Sequence, residues 1–282
     1  MGSPHHSCML SRTNTMRSRM GNGMATRTMA GKRILVTGAS QGIGYAFALE
    51  AAKQGARVVA SARSAEPLQD SHMEAAGVVP VVGDVTVPAD RDAMLRAARE
   101  HFGGLDILVN NAGLGATGLF GDTKPDTLRR VMEVNFFALA DLTRLCLPEL
   151  QKGVQPLVVN VSSILGRRGI PRYSEYCASK FAVQGFSDAL RAELSKVNVG
   201  VLVVNPGPTE TGFQENMVER DAGTPRAAGR MPAATVATAM CRAIERDRAE
   251  ITLTRVGVAL VLANRYFPRL LDWYLRREFV KG

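Results

Sequence analysis

The feature that most constrains this chain is a regular alternation of short aliphatic runs with longer amphipathic stretches. From residue 33 onward the runs are Arg33–Thr37, Arg57–Ala62, Val78–Val82, Leu105–Asn110, Leu157–Val161, Val199–Asn205 and Ile251–Thr254. They are too short for helices and apolar at successive positions, which is how a strand reads when both its faces are covered. Between them lie Ile43–Gln54, Ala89–Phe102, Thr127–Leu150 and Ser174–Lys196, long enough for helices that cover the sheet. The alternation predicts an α/β fold whose seven parallel strands carry helices on both faces.

With 282 residues and 46% apolar content the chain can bury one sizeable core. No internal repeat and no linker divides the body, so a single domain is expected over residues 31–255, after an N-terminal tail at 1–30 and before an extension at 256–282. Gly207–Pro232 breaks the regularity. It is rich in Gly, Pro, Thr and charge and reads as a long mobile loop or a pair of short helices; loops of this length inside compact domains are often lids.

The net charge of +9 raises the question of nucleic acid, and its placement answers it. Residues 1–33 carry six basic residues and no acid, and residues 251–282 carry six against Asp272 and Glu278, which leaves the body at −1. The basicity belongs to the two ends, so nucleic-acid binding is not expected. The N-terminal stretch lacks the apolar run of a secretory signal. Its Arg-rich, acid-free composition fits a transit peptide, a tail or a start codon placed too early, and the five methionines between Met9 and Met29 favour the last. Cys8, Cys146, Cys177 and Cys241 lie far apart, without CxxC pairs or His partners at ligand spacing, so neither a disulfide framework nor a metal site is expected. A cytoplasmic protein follows.

The run Ile34-Leu-Val-Thr-Gly-Ala-Ser-Gln-Gly-Ile-Gly-Tyr45 places Gly38, Gly42 and Gly44 directly after a strand and at the opening of a helix. In that context they suit a tight turn, a close approach of backbone to pyrophosphate and close helix packing, with Ser40, Gln41 and Ile43 completing the loop. The fold expected is therefore Rossmann-like and doubly wound. An NAD site wants a carboxylate at the end of the second strand to accept from the ribose 2′-hydroxyl. Ala62 stands there, followed by Arg63, whose guanidinium suits a 2′-phosphate; NADP(H) is the expected cofactor. The competing account of Arg63 is a solvated residue at a strand end.

Thr37-Gly38-x-x-x-Gly42-x-Gly44, then Asn110-Asn111-Ala112-Gly113, then Ser163, then Tyr176-Cys-Ala-Ser-Lys180 fall in order over residues 31 to 255. Together they resemble the short-chain dehydrogenase/reductase family in its standard form, here with a C-terminal extension. The resemblance implies hydride transfer between a nicotinamide and an alcohol or carbonyl, and a homodimer or homotetramer. It implies a catalytic set of Asn135, Ser163, Tyr176 and Lys180, with Ser163 preferred to Ser162 by its interval to the tyrosine. Asn135 would hold a water in a proton relay, and Lys180 would also bond the nicotinamide ribose. Asp84 and Val85 would meet the adenine, and Asn110, Ala112 and Gly113 would line the adenosine. Pro206, Gly207 and Thr209 would form the turn facing the carboxamide, with Thr209 and Thr211 both open as the bonding hydroxyl.

The chemistry of these residues is consistent with that role. Tyr176 and Lys180 lie four apart on a predicted helix and share a face. A tyrosine titrates near about pH 10, and a neighbouring ammonium is expected to lower it, so that Tyr176 can exchange a proton with the substrate oxygen. Ser163, just past a strand, can polarise a carbonyl.

The extension from Val256 is far shorter in its apolar run than the ~20 residues a membrane span needs, and Arg265, Pro268 and Arg269 interrupt it. Its mixture of aliphatic, aromatic and arginine residues suits a helix lying in a membrane interface, or a tail packed over the substrate mouth or another subunit. Both favour an apolar substrate, a lipid- or steroid-like ketone, with Leu114, Leu119, Phe120, Ile164 and Leu165 as pocket walls. A rival substrate class is a 3-oxoacyl group on an acidic carrier protein, for which Arg167, Arg168 and Arg172 would provide a basic patch. A non-catalytic NADP(H)-binding sensor is the alternative of another class; such a protein would lose part of the catalytic set, and all four residues are present.

Overall fold

A computed structural model describes residues 27–68, 70–225 and 229–280. The elements run β1 (Arg33–Thr37), α1 (Gly42–Lys53), β2 (Arg57–Ala62), α2 (Ser71–Ala75), β3 (Val79–Val82), α3 (Pro88–Phe102), β4 (Ile107–Asn110) and α4 (Thr127–Met132). They continue with α5 (Ala138–Leu150), β5 (Leu157–Val161), α6 (Ser174–Leu194), β6 (Gly200–Asn205), β7 (Thr209–Glu210), β8 (Met231–Pro232) and α7 (Ala233–Glu245). The last three are β9 (Glu250–Thr252), α8 (Arg255–Tyr266) and α9 (Pro268–Phe279). Seven parallel strands form one sheet in the order β3-β2-β1-β4-β5-β6-β9, the doubly wound α/β architecture expected from the sequence.

Alternation along each strand explains the continuous apolar runs. Ile34, Val36, Ile107, Val109, Val159 and Val204 face one way, onto Phe47, Ala48 and Ala51 of α1 and Val236, Met240 and Ile244 of α7. Leu35, Leu108, Val158 and Val201 face the other way, onto Met94, Leu95 and Ala98 of α3 and Leu142, Cys146 and Leu150 of α5. Because both faces are dry, the strands are aliphatic at successive positions, and polar residues within them such as Ser61 and Asn160 are buried. The chain winds outward in one direction from β1 and in the other from β4, so the crevice between their C-terminal ends is the switch point of the sheet.

Three expectations need correcting. Residues 27–30 belong to the folded body: Met29 is in the core, and Arg27 ion-pairs with Asp247 while its backbone N–H donates to the Glu245 carbonyl at 2.9 Å. The rest of the 1–30 tail, with the transit and start-codon readings, lies outside the described residues. The helix expected over Thr127–Leu150 is broken by a π-turn at Glu133–Phe137, where Asn135 sits. The described residues of Gly207–Pro232 form neither a free loop nor a helix pair. They hold the β7–β8 pair, one 3₁₀ turn at Gly212–Gln214, and a bridge from Glu219 to Ala116.

The N-terminal edge of the sheet is tied at Asp106, which is buried. Its carboxylate accepts from the backbone N–H of Arg33 at 2.9 Å and of Val154 at 2.7 Å, and from Arg33 Nε and Nη2 at 2.9 and 2.7 Å. Burial pushes the Asp106 carboxyl up, but the hydrogen bonds from Arg33 and Val154 outweigh it and hold the group below its ordinary value. Its contribution is present above pH 4 and is lost only as acid protonates it below the ordinary carboxylate range. Asp106→Ala is expected to cost about 3 kcal/mol in urea unfolding at pH 7, because Arg33 loses its partner.

Candidate active site

The glycine turn sits at the switch point. Gly38 and Gly42 have φ of +66° and +61°, the left-handed region that favours glycine, and a Cβ on Gly38 would come within 2.7 Å of Ala112 Cα. Helix α1 starts at Gly42 with no side-chain cap from Gln41 and no acid in its first turn, so its N-terminal N–H groups and positive dipole end remain available for an anion. Ser40 and Ile43 are half-buried in the turn. A Cβ on Gly44 would strike the Gly38 carbonyl and Asn111, in keeping with close packing. Gly42 departs from expectation in part: its open side faces Thr211, 2.6 Å from where a Cβ would lie.

Two residues that sequence reasoning missed hold this turn. Asn111 Nδ2 donates to the carbonyls of Thr37 and Gly38 at 2.9 and 3.0 Å. Thr37 Oγ1 accepts from the backbone N–H groups of Asn111 and Ala112, both at 3.2 Å. Their presence beside the glycine and Asn-Asn motifs was the available signal. Asn110, by contrast, does not line the crevice with its side chain. Its amide donates to Thr143 Oγ1 at 3.0 Å and Asn160 Oδ1 at 2.9 Å, and Asn160 continues to Ser187, so Asn110 is a strut inside the sheet.

Arg63 is exposed at the end of β2 and forms no ion pair among the described residues. Asp84 folds its carboxylate back on Thr86, accepting from that residue's N–H and Oγ1 at 2.9 and 2.8 Å; Val85 beside it packs toward the core.

The four residues proposed for catalysis come together past the C-terminal end of β5. Ser162 Oγ donates to the Lys180 carbonyl at 3.1 Å, which commits it to structure. Ser163 opens the following 3₁₀ turn, accepts from Leu165 N–H at 3.1 Å, and hydrogen-bonds with Tyr176. Lys180 is buried and donates from Nζ to the Val161 carbonyl at 3.0 Å, with Nζ 5.7 Å from the Tyr176 ring centroid. Asn135, freed by the π-turn from the regular helical ladder, accepts from Leu114 N–H at 2.6 Å and donates to the Leu114 carbonyl and Ser179 Oγ at 2.9 and 2.8 Å. A Cβ on Gly113 would lie 3.5 Å from Asn135 Oδ1 and 3.6 Å from Lys180 Nζ, so this glycine links the turn after β4 to the lysine.

Electrostatics correct one expectation. Burial pushes the Tyr176 phenol up, only partly offset by its hydrogen bond with Ser163, and the lowering expected from Lys180 does not prevail. Burial also lowers Lys180, to about 8. Desolvation dominates both groups and favours the neutral form of each.

Beyond β6, Pro206 accepts from Ile164 N–H at 3.1 Å and Gly207 packs on Thr254. Thr209 Oγ1 is tied to the Gly207 carbonyl at 3.0 Å, whereas Thr211 reaches the glycine turn at Gly42. The residue over Tyr176 is Phe213, edge to face with ring centroids 5.6 Å apart, while Met217 packs on Gly115. A cavity of about 260 Å³ beside them is lined by residues including Thr117, Tyr173, Met217 and Asp221. The expected walls Leu114, Leu119, Phe120, Ile164 and Leu165 do not line it; Leu119 and Phe120 are exposed. Phe213 and Met217 were missed because an irregular segment shows no periodicity that aims a side chain.

The basic patch expected for an acidic carrier is absent as free charge. Arg167 pairs with Glu250, Arg168 with Asp272 and Arg172 with Asp221.

The family model for short chain dehydrogenases matches residues 32–222, and the chain belongs to that family. It is an oxidoreductase acting on CH–OH or C=O groups. It is 37% identical over 266 residues to dehydrogenase/reductase SDR family member 7B of Bos taurus, covering 87% of this chain and 82% of that one. A short-chain dehydrogenase/reductase from Burkholderia phymatum in complex with NAD superposes with a TM-score of 0.78 at 28% identity, covering 91% of this chain and 99% of that one. A short-chain dehydrogenase from Burkholderia cenocepacia in complex with NADP gives 0.76 at 26%, covering 88% and 99%.

The lowered Lys180 allows a test without cofactor. Between pH 8 and 10 the unfolded chain binds more protons at this position than the folded one, so stability rises with pH across that window. Lys180→Met removes the buried charge. In urea unfolding it is expected to be more stable than the parent at pH 7, with the margin shrinking as pH approaches 10; a margin independent of pH would refute the assignment.

Proposed function

We propose that the protein is an NADP(H)-dependent reductase of an apolar ketone, lipid- or steroid-like, that runs reversibly as a secondary-alcohol dehydrogenase. The observation that carries the reading is the convergence of Ser163, Tyr176 and Lys180 beside an uncapped helix start and glycine turn. The glycine turn fits a dinucleotide pyrophosphate, because positive φ at Gly38 and Gly42 brings bare backbone to the crevice. Arg63, next to Ala62 and without a carboxylate partner among the described residues, would hold the 2′-phosphate. Thr211, Gly207, Pro206 and Thr209 would flank the nicotinamide end, Lys180 its ribose, and Asp84 the adenine.

When bound there, NADPH supplies the hydride. Ser163 orients the carbonyl oxygen of the substrate, and Tyr176 Oη gives it the proton that completes the alcohol. Lys180 and Asn135 form the path by which the phenol regains a proton, Asn135 fixing the turn at Leu114 and the serine beside Lys180. Phe213 over Tyr176, with Met217 close by, supports an apolar substrate. A homo-oligomer is supported by Leu128, Phe137 and Phe181, apolar side chains exposed on α4, the π-turn and α6.

Two variants test the reading in NADPH-oxidation assays. Tyr176→Phe is expected to lower ketone reduction by roughly a hundredfold or more with NADPH affinity retained, and substantial residual turnover would sink the proton-donor role. Arg63→Asp is expected to weaken NADPH about tenfold or more while NADH is little changed, since only the former carries the phosphate; equal effects would make Arg63 a bystander. Across a panel of ketones graded by chain length, turnover should favour the long and steroidal members over small water-soluble ones.

A further inference from the structure

We propose that the α8–α9 hairpin is a docking surface for an anionic phospholipid bilayer, holding the substrate mouth against the lipid. Leu271, Leu275 and Phe279, at i, i+4 and i+8, form the face of α9 turned to the body. A second stripe, Leu270, Trp273, Tyr274 and Arg277 at i, i+3, i+4 and i+7, points outward, and its three apolar members are at least half exposed. Tyr266 and Phe267 at the corner between the helices are about two-thirds exposed, and Val258 and Leu262 of α8, two turns and one turn before Tyr266, are exposed as well. A single exposed Leu is ordinary, whereas seven such side chains on one hairpin mark a surface with an occupant.

Charge selects the occupant. Arg265, Arg269, Arg276 and Arg277 are exposed, Asp272 is already held by Arg168, and only Glu278 opposes them within the pair of helices. The Arg277 guanidinium lies 5.8 Å from the Trp273 ring centroid. Tryptophan and tyrosine settle at headgroup level, and arginines extend toward phosphates while their stems stay apolar. Both helices have 12 residues and no described helix can cross a membrane, so the hairpin lies in the interface plane.

The same hairpin is wired to the mouth. Arg168 donates to Asn264 of α8 at 2.7 Å and to Asp272 of α9. Arg172 donates to the Phe279 carbonyl at 2.8 Å and to Asp221, which lines the cavity, so one guanidinium joins the end of α9 to the pocket wall. Gly257 of α8 packs on Ile164, next to Ser163.

Trp273 is the only tryptophan in the chain, so its emission reports on this face alone. The full chain is titrated with phosphatidylcholine vesicles with and without phosphatidylserine. A blue shift and quenching by brominated acyl chains are expected with the mixed vesicles, weakening as salt is raised. Phe267→Ser, Leu270→Ser and Tyr274→Ser combined should reduce vesicle co-sedimentation at least about tenfold. NADPH oxidation with a small soluble ketone should be unchanged in that variant, which separates this proposal from the catalytic one. Absent quenching, equal binding to neutral vesicles, or a blue shift that follows protein concentration without lipid would each overturn it; the last would assign the face to a second copy of the chain.

Discussion

One amide, that of Asn111, bridges the carbonyls of Thr37 and Gly38 and thereby joins the ends of β1 and β4 at the point where the winding of the sheet reverses. The rest of the site depends on that bridge. It holds the glycine turn closed, Gly44 packs on the carbonyl it fixes, and α1 consequently starts with its N–H groups facing the crevice. On the β4 side, the residues that follow lead through Gly113 to Leu114, where Asn135 clamps both backbone groups. The glycine turn and the Asn135–Ser179 end of the site are therefore parts of one hydrogen-bonded frame. A buried polar frame of this kind is satisfied only as a whole, which gives it a single geometry.

Much of this was legible in the sequence because the physics involved is local. A strand buried on both faces has to be aliphatic at successive positions, and all seven runs from Arg33 to Thr254 formed strands of the main sheet within two residues of the expected ends. The glycine turn was readable because φ near +60° excludes most residues at Gly38 and Gly42. What escaped was long-range. Nothing around Asn110 announces that its amide turns to Asn160 while its neighbour Asn111 serves the crevice. A one-residue step in a strand reverses the side chain, and only the assembled sheet shows what waits on each side. The π-turn at Asn135 escaped for a similar reason, since its hydrogen bonds go to Leu114 and Ser179, far away in sequence.

Arginine was where composition misled most. Arg167, Arg168 and Arg172 look like a basic patch in one dimension, yet each spends its charge on a carboxylate from another segment. Arg172 does so from a positive φ of 69°, a conformation with a cost for a non-glycine residue that its bonds to Asp221 and Phe279 offset. On α8 and α9, by contrast, Arg265, Arg269, Arg276 and Arg277 are exposed beside an apolar stripe and form no ion pair among the described residues.

The titration behaviour of Tyr176 and Lys180 follows from the same frame. Lys180 is fixed by the Val161 carbonyl on one side and walled by Gly113 on the other, so it is stripped of water before any ligand reaches it. Tyr176 lies under Phe213 and loses solvent in turn. Two desolvated groups whose ordinary values nearly coincide are driven apart, the phenol up and the ammonium down, each toward its neutral form. The neutral phenol is the form that can hand a proton to a substrate oxygen, which is what ketone reduction asks of Tyr176. Burial, which looks like an obstacle to acid–base chemistry at each residue alone, is what keeps the proton on Tyr176 until a substrate oxygen can take it.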